Sequence, residues 1–381
     1  TQYKQKKENE VMSKKDRKPN ILYILADDQG YGDVSCLNPD SKIPTPHTDR
    51  LAKEGMIFTD AHSNSAVCTP TRYGVMTGRY CWRSWLKRGV LHGDSPLLIE
   101  EGRETVASLL KRQGYRTACI GKWHLGLGWQ LREGETETTV DTIRYDKPVL
   151  NGPHTVGFDY SFIIPASLDM APYCYIEDGK VVEAPTDRVE DSPRPAFWRG
   201  GPCAPGFNHE TCLLEFMCRA ESFLYDHARH HRDEPFFLYF PTPSPHTPHF
   251  SRGRFRGASQ AGIYGDYVVE HDWVIGRLVE ALNRLDLRED TLVIVTSDNG
   301  CHATPLQLWE KYGHLGNYIY RGQKSDAWDG GHRIPFIASW PGVIPEGSQC
   351  DRTICLTDLF ATAAELTGAA IPENAAEDSV N

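Results

Sequence analysis

The sequence predicts an α/β fold, a large and mostly parallel sheet sandwiched by helices. Three observations lead there. Apolar runs without a helical period alternate with helical segments, the pattern of strands joined by helical crossovers. Four segments that follow the runs directly, "ADD", "GKWH", "PSPH" and "SDNG", hold polar, chemically capable residues. The 381 residues are 40% hydrophobic, enough to bury the core of one large domain, or of a large one with a smaller partner.

Residues 1–18 are polar and lysine-rich and read as a flexible tail. "PNILYILADD" follows Pro19 and ends in two acids, which makes it a buried strand. "TPHTDRLAKEG" is a helix closed by Gly55, and "MIFTDAHS" is the next strand. In "SAVCTPTRYGVMTGRY" a helix runs through Tyr73 to Met76 and stops at Thr77-Gly78. "ETVASLLKRQG" is a helix with Gly114 as its C-cap, followed by the strand "YRTACIG". Residues 125–205 are rich in Gly, Pro and Asp and are expected as loops or a small hairpin over the site. Then come the long helix "HETCLLEFMCRAESFLYDHARHH", the strand "PFFLYF", the helix "YGDYVVEHDWVIGRLVEALNRL" and the strand "TLVIVTSDNG". "RIPFIASWPG" is the last clear strand.

Composition narrows the function. The net charge is −10, and no long basic run occurs outside the N-terminus, so nucleic acid is a poor partner. No stretch approaches the ~20 apolar residues of a membrane span. Eleven cysteines form no CxxC pair, which excludes a zinc-ribbon spacing. Cys350 with Cys355, or Cys212 with Cys218, could pair in an oxidising compartment; free buried thiols are the other reading.

In open parallel sheets, ligands bind outside the carboxyl ends of the strands. Asp27 and Asp28 follow the first strand, and Asp298 and Asn299 a much later one. Their oxygens suit a hard cation such as calcium or magnesium. The same residue types are also common in turns. Neighbouring strand residues face opposite ways, so Asp27 and Asp28 reach one ion only if the chain bends there. Cys68 starts a helix beside Pro70, where free N–H groups and the dipole favour an anion, and Arg72 adds a positive charge. Cys68 can equally be a buried structural cysteine, or a thiolate nucleophile with no local partner. Lys122 and His124 stand two apart after a strand, on one face, as anion binding with proton transfer would need. His246 in "PSPHTPH" and Lys324 in a glycine-rich loop are weak signals alone.

Together these segments resemble the formylglycine-dependent type I sulfatases of the alkaline phosphatase-like superfamily. "AVCTPTRYGVMTG" and "GYRTACIGKWH" look like that family's two signature motifs. "ILADDQGYGD" and "SDNG" look like its two metal segments, all in family order over about residues 19–370. The resemblance implies that Cys68 is oxidised to formylglycine by a formylglycine-generating enzyme, and that the aldehyde hydrates to a diol. It implies a calcium ion (magnesium as the alternative) held by Asp27, Asp28, Asp298 and Asn299, with position 68 as a further ligand. Arg72, Lys122 and Lys324 would neutralise charge, His246 would protonate the leaving alcohol, and His124 would take the proton that releases sulfate. Thr71 stands where Ser or Ala is commoner in the family.

The resemblance further implies a catalytic domain over 19–370 with a lid at 125–205. Family members usually carry a C-terminal subdomain, of which 371–381 would be the start and the rest largely absent. The lid holds Trp129, His154, Asp169, Tyr173 and Tyr175, residue types that suit sugar faces and hydroxyls. "FDYSFIIPASLDMAPYCYIEDG" resembles stretches of carbohydrate sulfatases from polysaccharide-degrading bacteria. The expected substrate is a sulfated galactose or N-acetylgalactosamine unit, with His154, Asp169, His246 and Lys324 as substrate-binding residues. The expected location is secreted or periplasmic. Two other functions fit the same motifs: a phosphonate or phosphodiester hydrolase, and a non-catalytic glycan-binding relative with unmodified Cys68.

Overall fold

The computed structural model describes residues 18–194, 196–302 and 307–381. The tail at 1–18 lies outside them except for Lys18, which donates to the Gln113 carbonyl at 2.8 Å.

The strands are β1 (Asn20–Asp27), β2 (Met56–Phe58), β3 (Ala61–His62), β4 (Arg116–Lys122), β5 (Tyr160–Ile164), β6 (Ile176–Glu177), β7 (Lys180–Val181), β8 (Asp187–Val189), β9 (Gly201–Cys203), β10 (Phe236–Pro245), β11 (Thr291–Ser297), β12 (Phe336–Ser339), β13 (Ser348–Cys350) and β14 (Ile354–Cys355). The helices are α1 (Pro46–Lys53), α2 (Cys68–Thr77), α3 (Val106–Arg112), α4 (Cys212–His230), α5 (Gly262–Arg284), α6 (Leu308–Tyr312), α7 (Asp329–His332) and α8 (Leu359–Thr367). Ten strands form one sheet in the order β13-β2-β12-β11-β1-β10-β4-β5-β6-β7.

The five central strands, β11, β1, β10, β4 and β5, are parallel throughout. All eight residues of β1 are buried, as expected where helices cover both faces. Because the strands are parallel, their carboxyl ends lie along one edge, and that geometry gathers the site.

Two expectations need correction, and one expected strand runs against its neighbours. "MIFTDAHS" is not one strand: it breaks after Phe58, and β2 and β3 belong to different sheets. "RIPFIASWPG" supplies β12, which runs antiparallel to β11. The segment 125–205 is more than loops and a hairpin. Its "YSFII" run is β5, paired in parallel with β4 from Ala118↔Tyr160 to Lys122↔Ile164. The glycines and prolines around it hid a fully formed strand.

Residues 371–381 fold back on the end of α2. Asp378 donates its N–H to the Gly78 carbonyl at 3.0 Å and accepts from Arg83 at 2.7 Å. All eleven cysteines are free thiols, the second of the two readings, and neither candidate disulfide forms.

Candidate active site

Five strand ends build one site. The first is β1. Its register slips between Leu25 and Asp27, and Asp28 adopts φ +68. This is the bend that two adjacent acids need to share a direction. Asp28 also donates its N–H to Asp298 Oδ1 at 3.1 Å, tying the end of β1 to the end of β11. Behind the bend, Asp33 accepts from the Gly30 N–H at 2.8 Å and contacts His314 at 2.7 Å.

All ten residues of α2 are buried, with Cys68 at its first turn. Gly74 allows this depth: a Cβ there would lie 2.2 Å from Asn64 Nδ2, which donates to the Pro70 carbonyl. The Cys68 sulfur lies 3.3 Å from Asp27 Oδ1. Burial and Asp27 push its thiol pKa up, which works against the thiolate reading. Arg72, one turn on, is wholly buried; it donates to Asp298 Oδ2 at 2.8 and 3.1 Å and to the Lys122 carbonyl at 3.0 Å.

Each acid has a cation. Lys122 Nζ lies 2.6 Å from Asp27, and Lys324 Nζ lies 2.8 Å from both oxygens of Asp28. Burial alone would raise the Asp27 carboxyl, but Lys122, His246 and Arg72 hold it well below the usual carboxylate range. Burial and Asp27 push Asp298 up to about 6, against the pull of Arg72. Three carboxylates this crowded repel one another, and a divalent cation among them would offset that.

The donor set fits such a cation. Ligand atoms of Asp27, Asp28, Cys68 and Asp298 all lie within 4.8 Å of one another and are buried. Asn299 donates from Nδ2 to Asp28 Oδ1 at 2.7 Å and to the Gly300 carbonyl at 3.0 Å, while its Oδ1 is buried without a partner. A buried acceptor left unpaired is costly unless something binds it. Oxygen donors of this kind suit a hard ion.

The two histidines differ. His124 Nε2 meets the Leu91 carbonyl at 2.8 Å; a carbonyl only accepts, so Nε2 carries the hydrogen. Its Nδ1 is buried and unpaired, a free lone pair. Burial, then Lys122 and Arg72, hold this imidazole pKa well below its usual range, so it is neutral. His246 is turned the other way round. Its Nδ1 donates to the Thr247 carbonyl at 2.6 Å, and Nε2 is left 3.7 Å from Asp28 Oδ2.

Above this floor is a cavity of about 350 Å³. Asp28, Cys68, His124, His246 and Lys324 line it. Asp27, Lys122, Asp298 and Asn299 do not line it but touch residues that do, namely Cys68, Ser167 and Asp28, and Arg72 lies behind them on Asp298. Asp169 is on the wall; one of its oxygens pairs with Arg199, and Oδ1 is buried with no hydrogen bond, 3.9 Å from His246 Nδ1. His154 is not brought to the cavity: it is exposed, beside Gly179. The three lid aromatics expected as sugar platforms, Trp129, Tyr173 and Tyr175, pack away from the cavity instead. Trp129 donates to the Gly93 carbonyl at 2.9 Å, Tyr173 to the Arg199 carbonyl at 2.6 Å, and Tyr175 stacks on Phe162 at 4.9 Å.

Several wall residues escaped the sequence reading. Ser167 lies past the end of β5 and accepts from Lys122 at 3.3 Å. The strand-end rule finds it once "YSFII" is recognised as a strand. Arg194, Phe197, Arg199, His249 and His302 also line the cavity, and of these only His249 stood in a segment singled out above, the "PSPHTPH" that holds His246. Asn317 had no signal. It accepts from the Cys301 N–H at 2.7 Å and donates to the Cys301 and Gly322 carbonyls at 3.1 and 3.2 Å. That clamp joins the loop after Asn299 to the loop before Lys324.

Residues 19–369 match the family model for Sulfatase. An N-acetylgalactosamine-6-O-sulfatase of Bacteroides thetaiotaomicron is 36% identical over 402 residues, covering 95% of this chain and 75% of the relative. A steryl-sulfatase of Rattus norvegicus is 34% identical over 401 residues, covering 93% of this chain and 68% of the relative. A solved structure from work on glycosaminoglycan metabolism by Bacteroides thetaiotaomicron superposes with a TM-score of 0.82 at 35% identity, over 96% of this chain and 80% of that one. A Pseudoalteromonas sulfatase structure gives 0.75 at 28% identity, over 99% and 74%. With a ten-stranded α/β sheet and a divalent-metal donor cluster at its carboxyl edge, the chain belongs to the sulfatase family: it is a sulfuric ester hydrolase of alkaline phosphatase-like fold.

Proposed function

We propose that the chain removes sulfate from a sulfated galactose or N-acetylgalactosamine unit of a glycan, at the 6-position. One observation carries this: the cavity that holds Cys68 on its floor presents on its wall a buried Asp169 oxygen with no hydrogen-bond partner, 3.9 Å from His246 Nδ1. An unpaired carboxylate oxygen is an acceptor for a sugar hydroxyl, and it is out of place in a pocket for an apolar alcohol. The N-acetylgalactosamine-6-O-sulfatase at 36% identity supports the same choice of sugar.

The residues would act as follows. Cys68, as formylglycine, supplies the hydrate that serves as nucleophile. A calcium-like cation held by Asp27, Asp28, Asp298 and Asn299 supplies Lewis-acid polarisation. Lys324 binds the sulfate from the cavity wall, and Lys122 stabilises charge from beneath. Arg72 does not reach the cavity; it holds Asp298 in place. His246, as the imidazolium, gives its Nε2 proton to the leaving sugar oxygen and is left as the neutral ring with its hydrogen on Nδ1. His124 Nδ1 accepts the proton whose removal frees sulfate. Maturation requires a formylglycine-generating enzyme, and a polymeric substrate places the enzyme in a secreted or periplasmic location.

The test is sulfate release by protein co-expressed with that modifying enzyme. The panel holds galactose and N-acetylgalactosamine sulfated at each position, an aryl sulfate and a steryl sulfate. Preference for the 6-sulfated sugars is expected. Turnover confined to the aryl and steryl esters would overturn the sugar reading.

A further inference from the structure

The mouth of the cavity carries a charge that sulfate cleavage leaves unused. Two acids line it, and both are matched: Asp28 by Lys324 at 2.8 Å, and Asp169 by Arg199. A third cation, Arg194, also lines it, is exposed, and has no acidic partner among the described residues. Its guanidinium carbon lies 5.4 Å from the centre of the Phe197 ring, and that of Arg199 lies 5.2 Å from the same ring. Two guanidinium groups therefore lie beside the one Phe197 ring on the cavity wall. Arg199 is also tethered through its backbone, because Tyr173 Oη donates to its carbonyl at 2.6 Å. The chain as a whole is acidic, at −10, so this positive entrance is local and not a general steering field.

We propose that Arg194, assisted by Arg199, binds a second anionic group, a carboxylate or a sulfate, on the sugar next to the one that is desulfated. The substrate class is then a polyanionic glycan. This inference rests on the sugar reading given above. A planar fork of donors suits both anions, since each offers two oxygens to a guanidinium. The contact lies at an exposed mouth, so its strength should depend on salt.

The experiment compares three 6-sulfated disaccharides. They differ only in the neighbouring sugar, which is neutral, a uronic acid, or itself sulfated. Wild-type enzyme should show kcat/KM about 10-fold higher for the charged neighbours than for the neutral one, mostly through KM. The uronic acid and sulfate arms tell which anion is preferred. High salt should shrink the ratio. Arg194→Ala should bring it near 1, and Arg194→Glu should invert it. A wild-type ratio below about 2, or a ratio unchanged in both variants, overturns the proposal while leaving the sugar reading intact. No turnover of any disaccharide, with an aryl sulfate still cleaved, overturns both.

Discussion

Replacing His246 with alanine should separate two kinds of substrate. The ring is held before any substrate arrives: Nδ1 is fixed on the Thr247 carbonyl at 2.6 Å, and Ser167 Oγ lies 3.4 Å away. Only 9% of the residue is exposed. The other nitrogen, Nε2, is left unbonded and faces the end of the site where Asp28 and Lys324 lie; because Nδ1 carries the hydrogen of the neutral ring, Nε2 donates only from the imidazolium form. A fixed acid of this kind is worth ~10²–10⁴-fold, and we take about 10³-fold, or about 4 kcal/mol of barrier. A sugar alkoxide is a strong base and needs that proton as its bond to sulfur breaks; a nitrophenolate is a weak base and does not. His246→Ala should thus lower kcat about 10³-fold on a 6-sulfated sugar and less than about 10-fold on nitrophenyl sulfate. His124→Ala should slow both alike, because His124 acts after the alcohol has left. Stopped assays of sulfate and nitrophenolate release measure the two. Equal losses on both substrates for His246→Ala would refute the acid role and leave His246 as a sulfate-binding residue.

Four other outcomes follow from the same structure. Chelation should lower the Tm, and adding calcium should restore it, by about 2.7 kcal/mol at a hundredfold excess over Kd; Asp298→Asn should abolish the response in a thermal-shift assay. Cys68→Ser should keep its Tm within about a degree and release no sulfate, since serine cannot form a diol. Gly121→Ala should destabilise by about 3 kcal/mol or more in urea, because φ is +140 and the new Cβ would meet the Pro241 carbonyl at 1.9 Å, just before Lys122. His227 is buried against Phe236 with both ring nitrogens unpaired, and burial, then Arg116, push its pKa down to about 4. The unfolded chain therefore takes up the proton first, and stability falls as pH drops from 6.5 toward 4, by about 3 kcal/mol at most; in denaturation curves across that range, His227→Phe should be more stable and lose this part of the slope.

What the sequence determined by itself was the set of strands that run as unbroken apolar segments, and the residues that follow them. β1, β4, β10 and β11 are legible because burial on both faces favours a run of apolar side chains along each of them, with polar residues near the ends. Asp27, Lys122, His246 and Asp298 are legible for the complementary reason: a polar group directly after such a run ends the strand and points to the edge where ligands bind. Only the tertiary structure decided which strands lie side by side. Pairing depends on contacts between residues far apart in the chain, as between β1 and β11, and no local pattern records it. It also decided that "YSFII" joins the sheet, because partnership with β4 outweighs the turn-rich composition around it. For the same reason Asp169 stands on the cavity wall while His154 does not. The one follows β5 to the carboxyl edge, and the other lies before β5, on the surface.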